Sequence, residues 1–222
     1  MENKLNFLIG VPTITRADLL QECLQPFILN KNKFDTIIVD NGNQQDIDIS
    51  QLQTETKAVV VRPDKNLGVA GSWNLIINIA LLKSFTHVII LNDDIVLSDD
   101  TINNFQNIIN KYSDKWLLVS ECSYSVFILN LSCLKLLEYK QGKYFDEKFY
   151  PAYCEDVDFE YRMKKIDKTK ILRNIKELNP KIYRTASSSK KNKRLSKSRI
   201  YIRQRNLFIS KHGITPYRAY KF

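Results

Sequence analysis

Val88-Ile89-Ile90-Leu91-Asn92-Asp93-Asp94 is an aliphatic run that stops abruptly at an amide and two carboxylates. A short apolar run without polar alternation suits a strand buried on both faces, as in a parallel sheet covered by helices. The same pattern recurs upstream. Leu5 to Val11 ends at Pro12-Thr13-Ile14-Thr15-Arg16, and Thr36 to Val39 ends at Asp40-Asn41-Gly42-Asn43. Ala58 to Val61 ends at Arg62-Pro63-Asp64-Lys65-Asn66-Leu67-Gly68. Between these runs, Ala17 to Leu29 carries Leu19, Leu20, Cys23, Leu24, Phe27 and Ile28 at helical spacing, and Pro26 is expected to kink or end that helix. Val69 to Leu82 reads as a helix, as does a segment capped within Ser98 to Thr101 and running to about Tyr112. Trp116 to Val119 and Ser125 to Leu129 read as further strands, and Glu155 to Lys165 and Lys197 to Lys211 as further helices. The alternation predicts an α/β unit with a mostly parallel sheet in the first half, followed by a mixed second half.

In open parallel sheets, ligands bind beyond the carboxyl ends of the strands. If the first four strands are parallel, their four polar clusters meet on one edge, and together they predict a binding site. Each cluster also has a plainer reading. Asp40-Asn41-Gly42 alone is a tight turn; in company, Asp40 is placed to accept a hydrogen bond from a nucleobase imide. Asp93-Asp94 could be part of a helix cap, although Ile95-Val96-Leu97 separates the pair from Ser98 and Asp99. Adjacent carboxylates repel unless a cation or donors compensate. A hard divalent ion, Mn2+ or Mg2+, takes oxygen ligands from carboxylates and phosphates together.

A second acidic cluster, Glu155-Asp156-Val157-Asp158, follows an aromatic stretch containing Tyr144, Phe145, Phe149, Tyr150 and Tyr153. Carboxylates at a helix start are favoured by its dipole, so capping explains them. A general base beside an aromatic sugar platform explains them equally well.

Composition narrows the classes. The apolar and aromatic content of the 222 residues suits a globular chain, and no apolar run approaches the ~20 residues that span a bilayer. Asn6 and Gly10 interrupt the first apolar segment, and no small-residue cleavage site follows it, so no secretory leader is expected. Cys23, Cys122, Cys133 and Cys154 form no CxxC pair, and His87 and His212 are far apart, which argues against zinc and for free thiols. Residues 181–222 hold thirteen Lys or Arg and no acidic residue, so the net charge of +10 belongs to this segment. Its stretch from Ser187 to Arg199, rich in Ser, Lys and Arg, is expected to be a loop.

Taken together, these residues resemble glycosyltransferase family 2, the inverting enzymes with the GT-A fold, over about residues 5 to 210. Val11-Pro12-Thr13 with Thr15 and Arg16 resembles the first nucleotide-binding loop, and Ile37 to Gly42 the segment whose Asp contacts a pyrimidine. Asn66-Leu67-Gly68-Val69-Ala70-Gly71-Ser72-Trp73-Asn74 is similar to the N-x-G-x-A-x-x-x-N stretch, Asn92-Asp93-Asp94 to the DxD motif, and Glu155 to Asp158 to the ED-x-D element. Tyr201 to Asn206 is similar to a run in rhamnosyltransferase-like members. The first DxD position is Asn92 rather than Asp.

The resemblance implies a Rossmann-like, mostly parallel central sheet flanked by helices, with a smaller mixed acceptor-side half. It implies one domain over 1–222: a nucleotide-sugar-binding half (1–100), an acceptor and catalytic half (101–180), and a basic loop and helix (181–222). Asp156 is then the catalytic base. Glu155, Asp158, Tyr153 and Trp73 bind acceptor. Pro12, Thr13, Thr15, Arg16, Asp40, Asn41, Asn66, Gly68, Asn74, Asp93, Arg203 and Arg205 bind nucleotide. Asp94 and Asp93 hold Mn2+ or Mg2+. A UDP-sugar is the first donor implied, with dTDP- or UDP-rhamnose next, and the acceptor is a glycan or a lipid-linked molecule. The expected location is cytoplasmic, with weak contact to an anionic membrane surface through 181–222. Two rivals stand beside this reading. A sugar-phosphate nucleotidyltransferase would need a Gly-rich loop with a Lys after the first strand, which is missing. A nucleic-acid-binding module would use the basic segment with Tyr201, Phe208 and Tyr217.

Overall fold

The first apolar run forms β1 (Phe7–Thr13), and its alternate residues feed two different cores. Leu8 packs with one set of helices and Ile9 and Val11 with another, as a period of two requires. The computed structural model describes residues 6–28, 34–42, 49–183 and 195–222. Within them follow α1 (Ala17–Ile28), β2 (Asp35–Asp40), α2 (Ile49–Thr56), β3 (Val59–Val61), α3 (Gly68–Leu82) and β4 (His87–Leu91). β1 pairs in parallel with β2 and with β4, and β2 pairs in parallel with β3. The strand order therefore reverses at β1, which places a crevice beyond the carboxyl ends of β1 and β4.

The second half continues with β5 (Ile95–Val96), α4 (Asp99–Lys111), β6 (Leu117–Ser120), β7 (Ser123–Asn130), α5 (Leu134–Leu137), α6 (Glu155–Asp167) and β8 (Ile171–Ile175). It closes with β9 (Ile182–Tyr183), α7 (Leu195–His212) and α8 (Pro216–Lys221). The main sheet has seven strands in the order β3-β2-β1-β4-β7-β6-β8, and β7 alone runs against the others. The strands of both halves thus share one sheet. β5 and β9 form a separate antiparallel pair.

One face of the sheet is covered by α3, through Trp73, Ile76, Ile77 and Ala80, and by Phe145, Phe159 and Met163. The other is covered by α1 and α4, through Leu20, Leu24, Phe27, Ile102, Phe105 and Ile108. Gly10 lets α3 lie close, because a Cβ there would stand 2.4 Å from Ile76 Cγ2. A third, smaller cluster of Phe149, Cys154, Tyr161, Phe208 and Ala219 joins α6, α7 and α8.

Several sequence expectations change. α2, β5, α5, β8, β9 and α8 were not anticipated. α1 runs past Pro26 to Ile28, and the Pro26 ring is buried. The stretch expected as a loop from Ser187 lies outside the described residues as far as 194, and from Leu195 onward it is helical. All four cysteines are free thiols. Among the described residues, no helix is long and apolar enough to cross a membrane.

Candidate active site

The four strand-end clusters meet at the crevice. A cleft of about 250 Å³ is lined by Pro12, Thr13, Asn41, Asn66, Gly68, Ser72, Asn92, Asp93 and Asp94, together with Pro151 and Ala152. That volume is just below the ~300–1,000 Å³ usual for a small-molecule site. Asn41 ties the strand ends together. Its N–H donates to the Thr13 carbonyl (2.9 Å), its Oδ1 accepts from Leu67 N (2.9 Å), and its Nδ2 donates to Ser72 Oγ (2.8 Å). Ser72 Oγ passes the chain on to the Gly68 carbonyl (2.6 Å). Gly68 adopts φ +68, and a Cβ there would meet Pro151 O at 2.7 Å. The first amides of α3 are already engaged: Gly68 N–H with Asn66 Oδ1 (2.8 Å) and Val69 N–H with Pro151 O (2.9 Å).

Asp93 is 8% exposed and accepts from Thr13 Oγ1 at 2.7 Å. Burial pushes its carboxyl up to about 7; Asp94 adds to this, while the Thr13 hydrogen bond and Arg16 oppose it. The helix cap downstream is Ser98, whose Oγ accepts from Thr101 N (3.1 Å), so Asp93 and Asp94 do not cap α4. Among the described residues no three His, Cys, Asp or Glu side chains gather into a metal cage. The Asp93–Asp94 pair fits the other way of holding a hard divalent ion, with two carboxylates and the remaining ligands from phosphate and water.

The second acidic cluster begins α6 after two residues in the left-handed region, Tyr153 (φ +80) and Cys154 (φ +70). Such backbone costs roughly 1–2 kcal/mol per residue, and it persists where the surroundings enforce it. Glu155 is 5% exposed, and its Oε2 has no hydrogen-bond partner among the described residues. Burial and then Asp156 push its carboxyl well up. Asp156 is half-buried; burial pushes it up, Glu160 adds, and the Val157 N–H and Arg173 oppose. Strongly perturbed carboxyls of this kind are more common at functional sites than elsewhere.

Other expected site residues have different surroundings. Asp158 lies about 200° around α6 from Asp156. It is fully buried and binds Arg162 (2.9 Å), Lys211 (2.7 Å) and His212 (2.7 Å). Burial would raise its carboxyl, but these partners outweigh burial and hold it at about 2. Trp73 is 2% exposed and packs against Tyr124, Phe127 and Phe145. Asn74 uses its amide on Tyr144 N, Phe145 N, Phe145 O and Glu147 Oε1, which fixes the segment leading toward the cleft.

Asp40 is fully buried, accepting from Arg62 Nε (3.2 Å) and Gly42 N (3.1 Å). Thr15 is exposed, and Arg16 pairs with Asp18 at 2.6 Å. Arg203 and Gln204 both donate to the Tyr150 carbonyl, so Arg203 supports the 150–154 segment. Tyr153 meets the Tyr201 ring edge-on at 6.1 Å, and Arg205 acts on the Cys154 thiol. Phe208 is fully buried, which takes away one of the three rings expected to stack on nucleic acid. Ser72, Pro151 and Ala152 were not anticipated at the cleft. Ser72 could have been found, since it sits one helical turn from Gly68.

A doubly wound sheet with a polar cleft at its switch point defines a class of nucleotide-binding α/β proteins. Residues 8–120 match the model of glycosyl transferase family 2, and the chain belongs to that family. The match takes in β1 through β6 with Asp93 and Asp94, and ends before Glu155 and Asp156. Solved structures agree on a GT-A-like fold. The chain is similar to TarS of S. aureus, with TM-score 0.58 at 16% identity over 76% of this chain and 35% of that one. It is similar to TarS 1–349 in complex with UDP-GlcNAc, with TM-score 0.57 at 16% identity over 76% and 56%. It is also similar to the mannosyltransferase PcManGT of Pyrobaculum calidifontis in complex with GDP-Man and Mn2+, with TM-score 0.55 at 14% identity over 78% and 55%. The chain thus spans little more than half, or less, of each of these structures. No curated protein matches the sequence.

Proposed function

We propose that this chain transfers a sugar from a nucleoside diphosphate sugar to an acceptor hydroxyl, with inversion at the anomeric carbon. The observation that carries the reading is the single cleft in which all four strand-end clusters meet the 151–152 segment leading to Glu155 and Asp156. In this reading the nucleotide lies along the ends of β1 and β2, near Thr13, Asn41 and Asn66, with Asp40 behind them for the base. The donor to try first is a UDP-sugar, then UDP- or dTDP-rhamnose, given the Tyr201 to Asn206 run. Asp156 takes the proton of the attacking hydroxyl. Glu155 and Tyr153 frame the acceptor, a glycan or a lipid-linked molecule.

The family relationship implies a divalent metal, Mn2+ or Mg2+, and Asp94 with Asp93 would hold it. Such an ion supplies charge that stabilises the departing diphosphate. The first two amides of α3 are spent on Asn66 and Pro151, so they offer the diphosphate no donor. Arg205, beside Cys154, is the side chain we assign to assist it. Exposed Tyr201, Ile202, Tyr217 and Phe222, beside Arg203, Arg218 and Lys221, would support weak contact with an anionic membrane surface.

The test is Asp156→Asn. Transfer, followed with a panel of nucleotide sugars and Mn2+, should fall by at least about a hundredfold. Thermal stabilisation by UDP with Mn2+ should persist. Full turnover in that variant would remove Asp156 from the chemistry.

A further inference from the structure

Behind Asp156 lies a buried ion-pair network that the reaction as described does not use. Glu160 follows Asp156 by four residues and shares its face of α6. It is 2% exposed. It accepts from Tyr124 Oη on β7 (3.2 Å), and it pairs with Lys164 (3.0 Å) and with Arg173 on β8. The Arg173 guanidinium lies 4.2 Å from the ring centre of Tyr220 on α8 and 5.9 Å from that of Tyr124. It also donates to Ser123 Oγ (3.3 Å). Lys164 Nζ donates to the Tyr220 carbonyl (2.8 Å), which fastens α8 over the network.

Asp156 lies one turn before Glu160 on the same face of α6. Around it stand Glu155 and Glu160 on its own helix, the Tyr124 phenol on β7 and Arg173 on β8. The Cys154 thiol, two residues earlier, feels both Asp156 and Arg205 of α7. Glu160 and Arg173 act on Asp156 in opposite senses. A buried base with too high a proton affinity stays protonated, and one with too low an affinity takes no proton.

We propose that Arg173, stacked near the Tyr220 ring and paired with Glu160, is a positioning residue that lowers the proton affinity of Asp156. Through Tyr220, α8 then takes part in the chemistry without touching substrate. The inference rests on Asp156 as the base. Removing the guanidinium leaves Glu160 paired with Lys164 alone and takes one positive charge from the surroundings of Asp156. Removing the Glu160 charge leaves both cations instead.

The experiment follows the Asp156 carboxyl directly, by carbon-13 NMR on the intact chain labelled at Asp carboxyls, with Asp156→Asn identifying the resonance. Arg173→Gln should move the titration midpoint to higher pH, to about tenfold lower proton concentration. Glu160→Gln should move it to lower pH. Arg173→Lys should leave it near the parent value, and Tyr220→Leu should move it part of the way that Arg173→Gln does. Midpoints that stay fixed, or that move in the same direction in Arg173→Gln and Glu160→Gln, overturn the proposal. If Arg173→Gln does not fold, Glu160→Gln with an unmoved or raised midpoint overturns it alone. Full transfer by Asp156→Asn would refute the base reading instead, and the titration would still show whether Arg173 governs the carboxyl.

Discussion

Thr13 donates its hydroxyl to Asp93 across 2.7 Å, although the two are 80 residues apart in sequence. Both are buried at the point where the strand order reverses. The bond ties the end of β1 to the loop after β4 and opposes the effect of burial on the Asp93 carboxyl. Thr13→Val keeps the shape and removes the donor. It should cost about 1–3 kcal/mol of stability, the usual effect of leaving a buried acceptor without its partner. Urea denaturation at neutral pH measures this, and Thr13→Ser should recover most of it. A Thr13→Val variant as stable as the parent would show that the bond contributes nothing.

Asp94 is the residue assigned to the metal. In the parent chain, Mn2+ should add to the thermal stabilisation given by UDP. At a hundredfold excess over its dissociation constant, the ion contributes about 2.7 kcal/mol. Asp94→Asn should lose most of that increment while keeping the effect of UDP alone. An undiminished Mn2+ increment in the variant would place the ion elsewhere.

The buried Asp158 makes stability depend on acid. Its carboxyl is held at about 2 by His212, Arg162 and Lys211 against the opposing effect of burial. A carboxyl whose folded value lies below its unfolded one stabilises the fold at pH above the unfolded value. That contribution fades as pH falls through the folded value. The window therefore runs from about pH 4 down to about pH 2, and the contribution is on the order of 2 kcal/mol. Asp158→Asn should be destabilised at pH 6 and should show a flatter loss of stability between pH 4 and pH 2. Parallel urea-midpoint curves for variant and parent would contradict this.

Gly10 allows α3 to approach β1. Its missing Cβ would lie 2.4 Å from Ile76 Cγ2 and 2.8 Å from Cδ1, and Ile76 is fully buried, so it has nowhere to swing. Gly10→Ala should cost about 1–3 kcal/mol, as overpacking does. In an Ile76→Ala background the same change should cost nothing or stabilise. A double-mutant cycle without coupling would mean that the helix moves away freely.

Much of the fold was legible because each of the first four strands is a mostly apolar run stopped by Pro, Asp, Asn or Arg. Those stops also marked the cleft. β5 and β9 were not legible, since each is two residues long and exists only by pairing with the other. Trp73 and Asn74 sit inside the matching stretch, but sequence alone does not say which face of α3 is packed; both turned out to support the site from within. Asp156 and Asp158 read as one cluster, yet helical periodicity would have sent them to opposite sides. The Glu160–Arg173 pair joins a helix to a later strand, and no local pattern announces it. The base assignment falls outside the stretch matched by the family model and rests on the resemblance of Glu155 to Asp158 to the ED-x-D element.

Asn41 offers a lesson about which sequences this fold can explore. Its Oδ1 must accept from Leu67 N while its Nδ2 must donate to Ser72 Oγ, so the amide has one orientation. Asp at this position has the length and lacks the donor, Gln has the donor and the wrong reach, and Ser is too short to meet both partners. Drift at position 41 is therefore confined to changes accompanied by others at positions 67 and 72, and a lineage that loses this amide must rebuild the turn between β3 and α3 at the same time.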